Sequence, residues 1–142
     1  MPDRLKAGQR TLDPLIGVRI PVGQQAAMKK QNFLDYIEFP AIDIEATKAF
    51  YTSAFGWKFT DYGPDYVSFT DGNFEGGFTT ESKPQKPGGP LIILYSENLE
   101  GTVKVIEQSG GIITKHIYKF PGGRRFHFED PNGNELAVWS EN

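Results

Sequence analysis

An internal repeat constrains this chain more than any other feature. Displaced by 55 residues, the sequence aligns on itself. Ile37-Glu-Phe39 falls on Ile92-Ile-Leu94, and Asp43-Ile-Glu-Ala-Thr47 falls on Asn98-Leu-Glu-Gly-Thr102. Phe50-Tyr51 falls on Val105-Ile106, and Gly56 on Gly111. A displacement of 61 then brings Gly72-Asn73 onto Gly133-Asn134, and the six-residue difference fits a longer loop around Lys119-Phe-Pro-Gly-Gly123. Such a repeat is one supersecondary unit used twice, and a unit that cannot bury its apolar face alone must pack against its copy. A chain of 142 residues holds two such units and a short extension, enough for a core without covalent staples.

The local signals give each unit the order βαβββ. Phe33 to Phe39 is an aromatic and β-branched run that stops at Pro40. Asp43 is a good N-cap; Ile44, Thr47, Phe50, Tyr51 and Ala54 then share one helical face, and Gly56 closes the helix. In the second unit Asn98 is the cap, Leu99, Thr102, Val103 and Ile106 are the face, and Gly110-Gly111 ends it. Strands are expected over Trp57–Tyr62, Tyr66–Thr70 and Asn73–Thr80, and again over Gly111–Phe120, Arg125–Asp130 and Glu135–Ser140. The Pro- and Gly-rich stretch from Glu81 to Pro90 is the linker. The expected fold is α+β: two βαβββ modules, about 31–82 and 90–142, forming a curved mixed sheet with a concave cavity and the helices on its outer face.

Charge separates an extension from this domain. Residues 1–30 carry a net +4 and residues 31–142 a net −7, so a basic N-terminal extension precedes an acidic domain spanning 31–142. Within the extension, Leu15 to Val22 alternates and could lie on the domain or pair with a partner chain. The overall −3 gives no reason to expect nucleic acid. No apolar run is long enough for a membrane span or a signal sequence, so a cytoplasmic protein is the expectation. The absence of Cys excludes a disulfide scaffold, a Cys-ligated metal and a thiol nucleophile, and two His, His116 and His127, limit His-rich metal chemistry.

Two motifs carry a family resemblance. Asp43-Ile-Glu-Ala-Thr-Lys-Ala-Phe-Tyr51 with Phe55-Gly-Trp57, and Phe128-Glu-Asp-Pro-Asn-Gly-Asn134, resemble the helix and the "D-P-x-G-N" turn of the vicinal oxygen chelate superfamily. That superfamily includes glyoxalase I, extradiol dioxygenases and bleomycin-resistance proteins. The resemblance covers residues 31–142 and implies the fold, a homodimer and a metal held by residues facing the cavity. Carried over position by position, those ligands fall on Tyr36, Leu91 and Ala137, and on Gly76 within a register step. None is a His, Asp or Glu, whereas a mononuclear site needs about three such ligands. No metal site and no cofactor are therefore expected, while a divalent ion (Zn, Fe, Ni or Mn) at shifted positions stays open.

Strand alternation gives the side chains that replace the ligands. Leu34, Tyr36 and Glu38 share a face, with Phe33, Ile37 and Phe39 turned to the helix. Leu91, Ile93 and Tyr95, and Glu135, Ala137 and Trp139, face the same cavity. Tyr36, Glu38, Leu91, Tyr95, Ala137 and Trp139, with Arg125 at the rim, are the candidate ligand-binding residues. Such an aromatic, acidic trough suits a flat or cationic organic molecule. Glu38 is the candidate catalytic residue, a carboxylate among apolar neighbours that can act as general base unless it is paired. His127 lies between Phe126 and Phe128 and faces away from both, and a lone strand His is more often a hydrogen-bonded residue than a ligand. Gly122-Gly-Arg-Arg125 reads as a hairpin turn in preference to an anion site, and Gly76-Gly77 as close packing.

Three functions remain open: a metal-free small-molecule binder, a divalent-metal-dependent lyase, isomerase or dioxygenase, and a non-catalytic structural or regulatory dimer.

Overall fold

The computed structural model describes residues 30–84 and 88–142. The basic extension, with its alternating Leu15–Val22, lies outside the described residues except for Lys30.

The chain forms β1 (Ile37–Pro40), α1 (Ile44–Phe55), β2 (Lys58–Asp61), β3 (Tyr66–Thr70), β4 (Glu75–Thr79), β5 (Ile92–Tyr95), α2 (Leu99–Gln108), β6 (Ile112–Phe120), β7 (Gly123–Glu129) and β8 (Glu135–Ser140). Both modules have the expected βαβββ order. They build two four-stranded mixed sheets, ordered β1-β4-β3-β2 and β5-β8-β7-β6, in place of one continuous sheet. In each sheet the module's first strand runs parallel to its last, because the helix crosses over between them.

The helix ends follow from their caps. Asp43 accepts a hydrogen bond from the Ala46 amide at 3.0 Å, and Asn98 accepts one from Gly101 at the same distance. Gly56 closes α1 at φ 73°, a left-handed conformation a Cβ would disfavour. This places Trp57 over Tyr51 with ring centroids 4.5 Å apart, and Phe69 on the other face of the indole at 4.4 Å. One core joins both modules: Phe39, Phe50, Tyr51 and Phe78 of the first pack with Leu99, Ile106, Phe126 and Phe128 of the second.

The expected start at Phe33 is a correction. Strand pairing begins at Ile37, and Phe33 is 69% exposed with the Lys30 ammonium over its ring, so it does not turn to the helix. With no strand partner ahead of Ile37 among the described residues, Phe33 has no pleat to hold it inward.

The second motif explains how the modules stay together. Asn132 accepts hydrogen bonds from the amides of Ile42 (2.7 Å) and Asp43 (3.1 Å) and donates to Thr47 Oγ1 (2.8 Å). Asn134 donates to the Pro40 carbonyl at 2.9 Å, and Tyr51 donates to Asp130 at 2.9 Å. The turn before β8 is thus a polar latch on the β1–α1 corner of the other module.

Candidate functional site

Alternation places chemistry on the face of each sheet turned away from the shared core, its open face. On β1, Phe39 enters the core while Glu38 is exposed. On β4, a Cβ at Gly76 would meet the Phe69 ring at 2.6 Å, on the core side. A Cβ at Gly77 would instead meet Tyr66 Oη at 2.1 Å and Tyr36 Oη at 2.6 Å. The open-face position is therefore Gly77, one step from the Gly76 expected from sequence. Its missing side chain leaves room for a hydroxyl pair: Tyr36 and Tyr66 share a hydrogen bond, and Tyr66 donates to Glu38 Oε1 at 3.1 Å. Burial first, then the bond to Tyr36 and the charge of Glu38, hold Tyr66 well above the ordinary tyrosine range, so it remains a donor.

On the second sheet, Phe126, Phe128, Leu136 and Val138 fill the core, and Arg125, His127, Glu135 and Trp139 alternate with them. His127 is bonded at both ring nitrogens: Nδ1 lies 2.9 Å from Glu135 Oε2, and Nε2 lies 3.0 Å from the Tyr118 hydroxyl. Arg125 Nε donates to that hydroxyl. His116 is exposed on β6.

The two faces meet at one cleft of about 750 Å³. Its walls include Glu38 from β1, Pro90 and Leu91 at the entry to β5, His127 from β7, and Asn134 and Glu135 at the head of β8. Of the residues expected from sequence, this cleft gathers Glu38 and Leu91. Tyr36 sits behind Glu38 through Tyr66. Tyr95, Trp139, Phe120 and Arg125 form a separate aromatic group further along the second sheet, with Tyr95 edge-on to Trp139 at 5.2 Å and the Arg125 guanidinium 5.8 Å from the Phe120 ring centre. Ala137 is fully buried and so does not line the cleft, in contrast to the expectation. It pairs between His127 and Ile93, whose side chains leave a methyl no exposed surface. His127 and Glu135 are the cleft residues that sequence reasoning passed over as candidates. The available signal was the two-residue alternation that puts both on the Glu38 side of the fold.

A divalent ion does not fit the positions implied by the resemblance. Tyr36, Gly77, Leu91 and Ala137 offer one phenol between them, and that phenol is bonded to Tyr66. The two hydroxyls also occupy the space a ligand side chain at Gly77 would need. Among the described residues, no three His, Asp or Glu side chains gather as a metal-holding group. No described helix is long and apolar enough to cross a membrane.

Paired βαβββ modules match known proteins. Residues 33–138 match the model of the Glyoxalase/Bleomycin resistance protein/Dioxygenase superfamily. The chain belongs to this superfamily. Among solved structures it is similar to a glyoxalase-related enzyme from Fulvimarina pelagi, at 18% identity and TM-score 0.66, covering 77% of this chain and 88% of that one. A glyoxalase/bleomycin resistance protein/dioxygenase family enzyme from Burkholderia phytofirmans is similar at 18% identity and TM-score 0.66, covering 76% and 98%. The fosfomycin resistance protein FosX from Mesorhizobium loti is similar at 13% identity and TM-score 0.66, covering 80% and 95%. At these identities the superfamily likeness is one of fold. No curated protein matches the chain significantly.

Proposed function

We propose that this superfamily member binds a small flat or cationic organic molecule in the cleft between its modules, without a metal at the family's usual positions. One observation carries the reading: a single cleft receives a carboxylate from each module, Glu38 and Glu135, beside the apolar wall of Pro90 and Leu91. Pockets of this size with a few convergent polar groups on apolar walls suit small ligands. Tyr66 orients Glu38 and His127 orients Glu135, so both carboxylates are held in place before a ligand arrives.

A thermal-shift screen of small aromatic amines and their neutral analogues tests this. A ligand of the folded state raises the melting temperature by mass action. The expected result is a shift that Glu38→Gln abolishes while the unliganded variant melts as the wild type does. If no compound shifts the melting temperature, the reading fails in favour of a structural or regulatory dimer. One equivalent of tightly held Zn, Fe, Ni or Mn in the purified protein would overturn the metal-free part.

A further inference from the structure

Four side chains form a line on the open face of the second sheet. Arg125 Nε lies 2.5 Å from Tyr118 Oη, Tyr118 Oη lies 3.0 Å from His127 Nε2, and His127 Nδ1 lies 2.9 Å from Glu135 Oε2. The two ends fix the protons between them. A guanidinium can only donate and an ionised carboxylate can only accept. With a neutral imidazole, the Tyr118 proton points at His127 Nε2 and the imidazole carries its own proton on Nδ1, toward Glu135. A hydroxyl, an imidazole and a carboxylate within hydrogen-bond reach, in that order, are the arrangement that activates a nucleophile.

Two cations lie against the Tyr118 ring. The Arg125 guanidinium carbon lies 5.7 Å from the Tyr118 ring centre and the Lys115 ammonium lies 5.0 Å from it. His127 is only 8% exposed, which shields the proton transfer from water, whereas Tyr118 is half-buried and Glu135 exposed. The alternative is a purely structural chain that anchors β6 to β7 across the irregular register between Lys115 and Tyr118. That role would need no particular order of groups.

We infer that Tyr118, with His127 as its base and Glu135 orienting the imidazole, is a nucleophile toward small activated acyl compounds. As the Tyr118 Oη–acyl carbon bond forms, the hydroxyl proton passes to His127 Nε2 and the bond from the acyl carbon to its leaving oxygen breaks. The leaving oxygen takes the electron pair and then the proton from His127. Water cleaves the resulting aryl ester in a second step, giving its proton to His127, which returns it to Tyr118. This activity does not depend on the ligand proposed above, although His127 and Glu135 also line that cleft.

The test uses the full chain and p-nitrophenyl acetate. Release of p-nitrophenolate is followed by absorbance, and peptide mass spectrometry locates any acetyl group. With no Cys in the chain, thiols cannot compete. The expected result is release that falls by roughly a hundredfold in Tyr118→Phe and in His127→Gln, with acetyl on Tyr118 wherever an adduct accumulates. The half-exposed Tyr95 in the same wild-type sample is the internal reference. Release unchanged in Tyr118→Phe overturns the inference, as does labelling of Tyr118 no faster than Tyr95, and neither result bears on the thermal-shift screen. The Tyr95 comparison needs no variant, so it stands even if His127→Gln fails to fold.

Discussion

Replacing Asn132 by Ala tests whether the latch holds the two modules together. The side chain makes three hydrogen bonds across the module boundary, to the Ile42 and Asp43 amides and to Thr47 Oγ1. Asn132 is 3% exposed and Thr47 is fully buried. A typical net hydrogen bond contributes about 1 kcal/mol, and a buried polar group left unpaired costs about 1–3 kcal/mol. Ile42 and Asp43 are exposed residues whose amides water can reach once the amide side chain is gone, which lowers their share. Thr47 Oγ1 keeps its own bond to the Asp43 carbonyl at 2.6 Å, so it loses a donor and not its only partner. The working figure is about 2–3 kcal/mol. Urea unfolding followed by far-UV circular dichroism reads it. With a slope of about 1–3 kcal/mol per molar for a small protein, the midpoint should fall by about 0.7–3 M. The slope should not change if the modules still unfold as one unit through their shared core. A loss below about 0.5 kcal/mol, the range of ordinary surface substitutions, would refute the claim that this turn is a structural latch.

Two further outcomes follow from the same contacts. Gly77→Ala puts a Cβ 2.1 Å from Tyr66 Oη; the hydroxyl pair must separate, and urea unfolding should show a loss of about 1–3 kcal/mol, while a neutral result would mean that the pair is not packed against the glycine. Burial raises Asp130 above the ordinary aspartate range against the opposing hydrogen bonds from Asn134, Tyr51 and Asn132. A folded pKa above the unfolded one means that the folded state holds the proton more tightly, so the stability difference between wild type and Asp130→Asn should increase as pH falls from 7 toward the unfolded value and level off below it. Urea unfolding at several pH values checks this, and a difference that is flat or moves the other way contradicts the assignment.

The repeat made the fold legible because the two modules share one burial pattern. Ile44 and Tyr51 and their counterparts Leu99 and Ile106 are core in both helices, whereas Thr102 and Val105, opposite Thr47 and Phe50, are not buried. β3 and β8 have the limits expected from their alternation. Pairing partners were less legible. Phe33 reads as a strand residue by composition, yet among the described residues strand pairing begins only at Ile37 and Phe33 is exposed. The one-step shift from Gly76 to Gly77 has a similar origin, because two adjacent glycines carry no side-chain pattern to fix the register.

The candidate site divides along the same line. Alternation correctly turned Glu38, Tyr95, Glu135 and Trp139 to one side of their strands, since it depends only on chain geometry. It could not show that the cleft opens between Glu38 and Glu135 while Tyr95 and Trp139 sit elsewhere on the sheet. That separation depends on how the latch sets β1 against β8, through Asn134 to the Pro40 carbonyl and Asn132 to the next two amides. His127 shows the limit most clearly. A lone strand His is ordinarily a satisfied polar residue, and this one is satisfied, at both nitrogens. What makes it a candidate for chemistry is the identity and order of its partners, a phenol backed by an arginine on one side and a cleft carboxylate on the other. The phenol lies 9 residues upstream of His127 and is brought to it by the β6–β7 hairpin, 7 residues from the arginine it accepts from, and the carboxylate lies 8 residues downstream through the β7–β8 turn. The spacing that brings them together is set by the lengths of two turns, which no residue-type motif records.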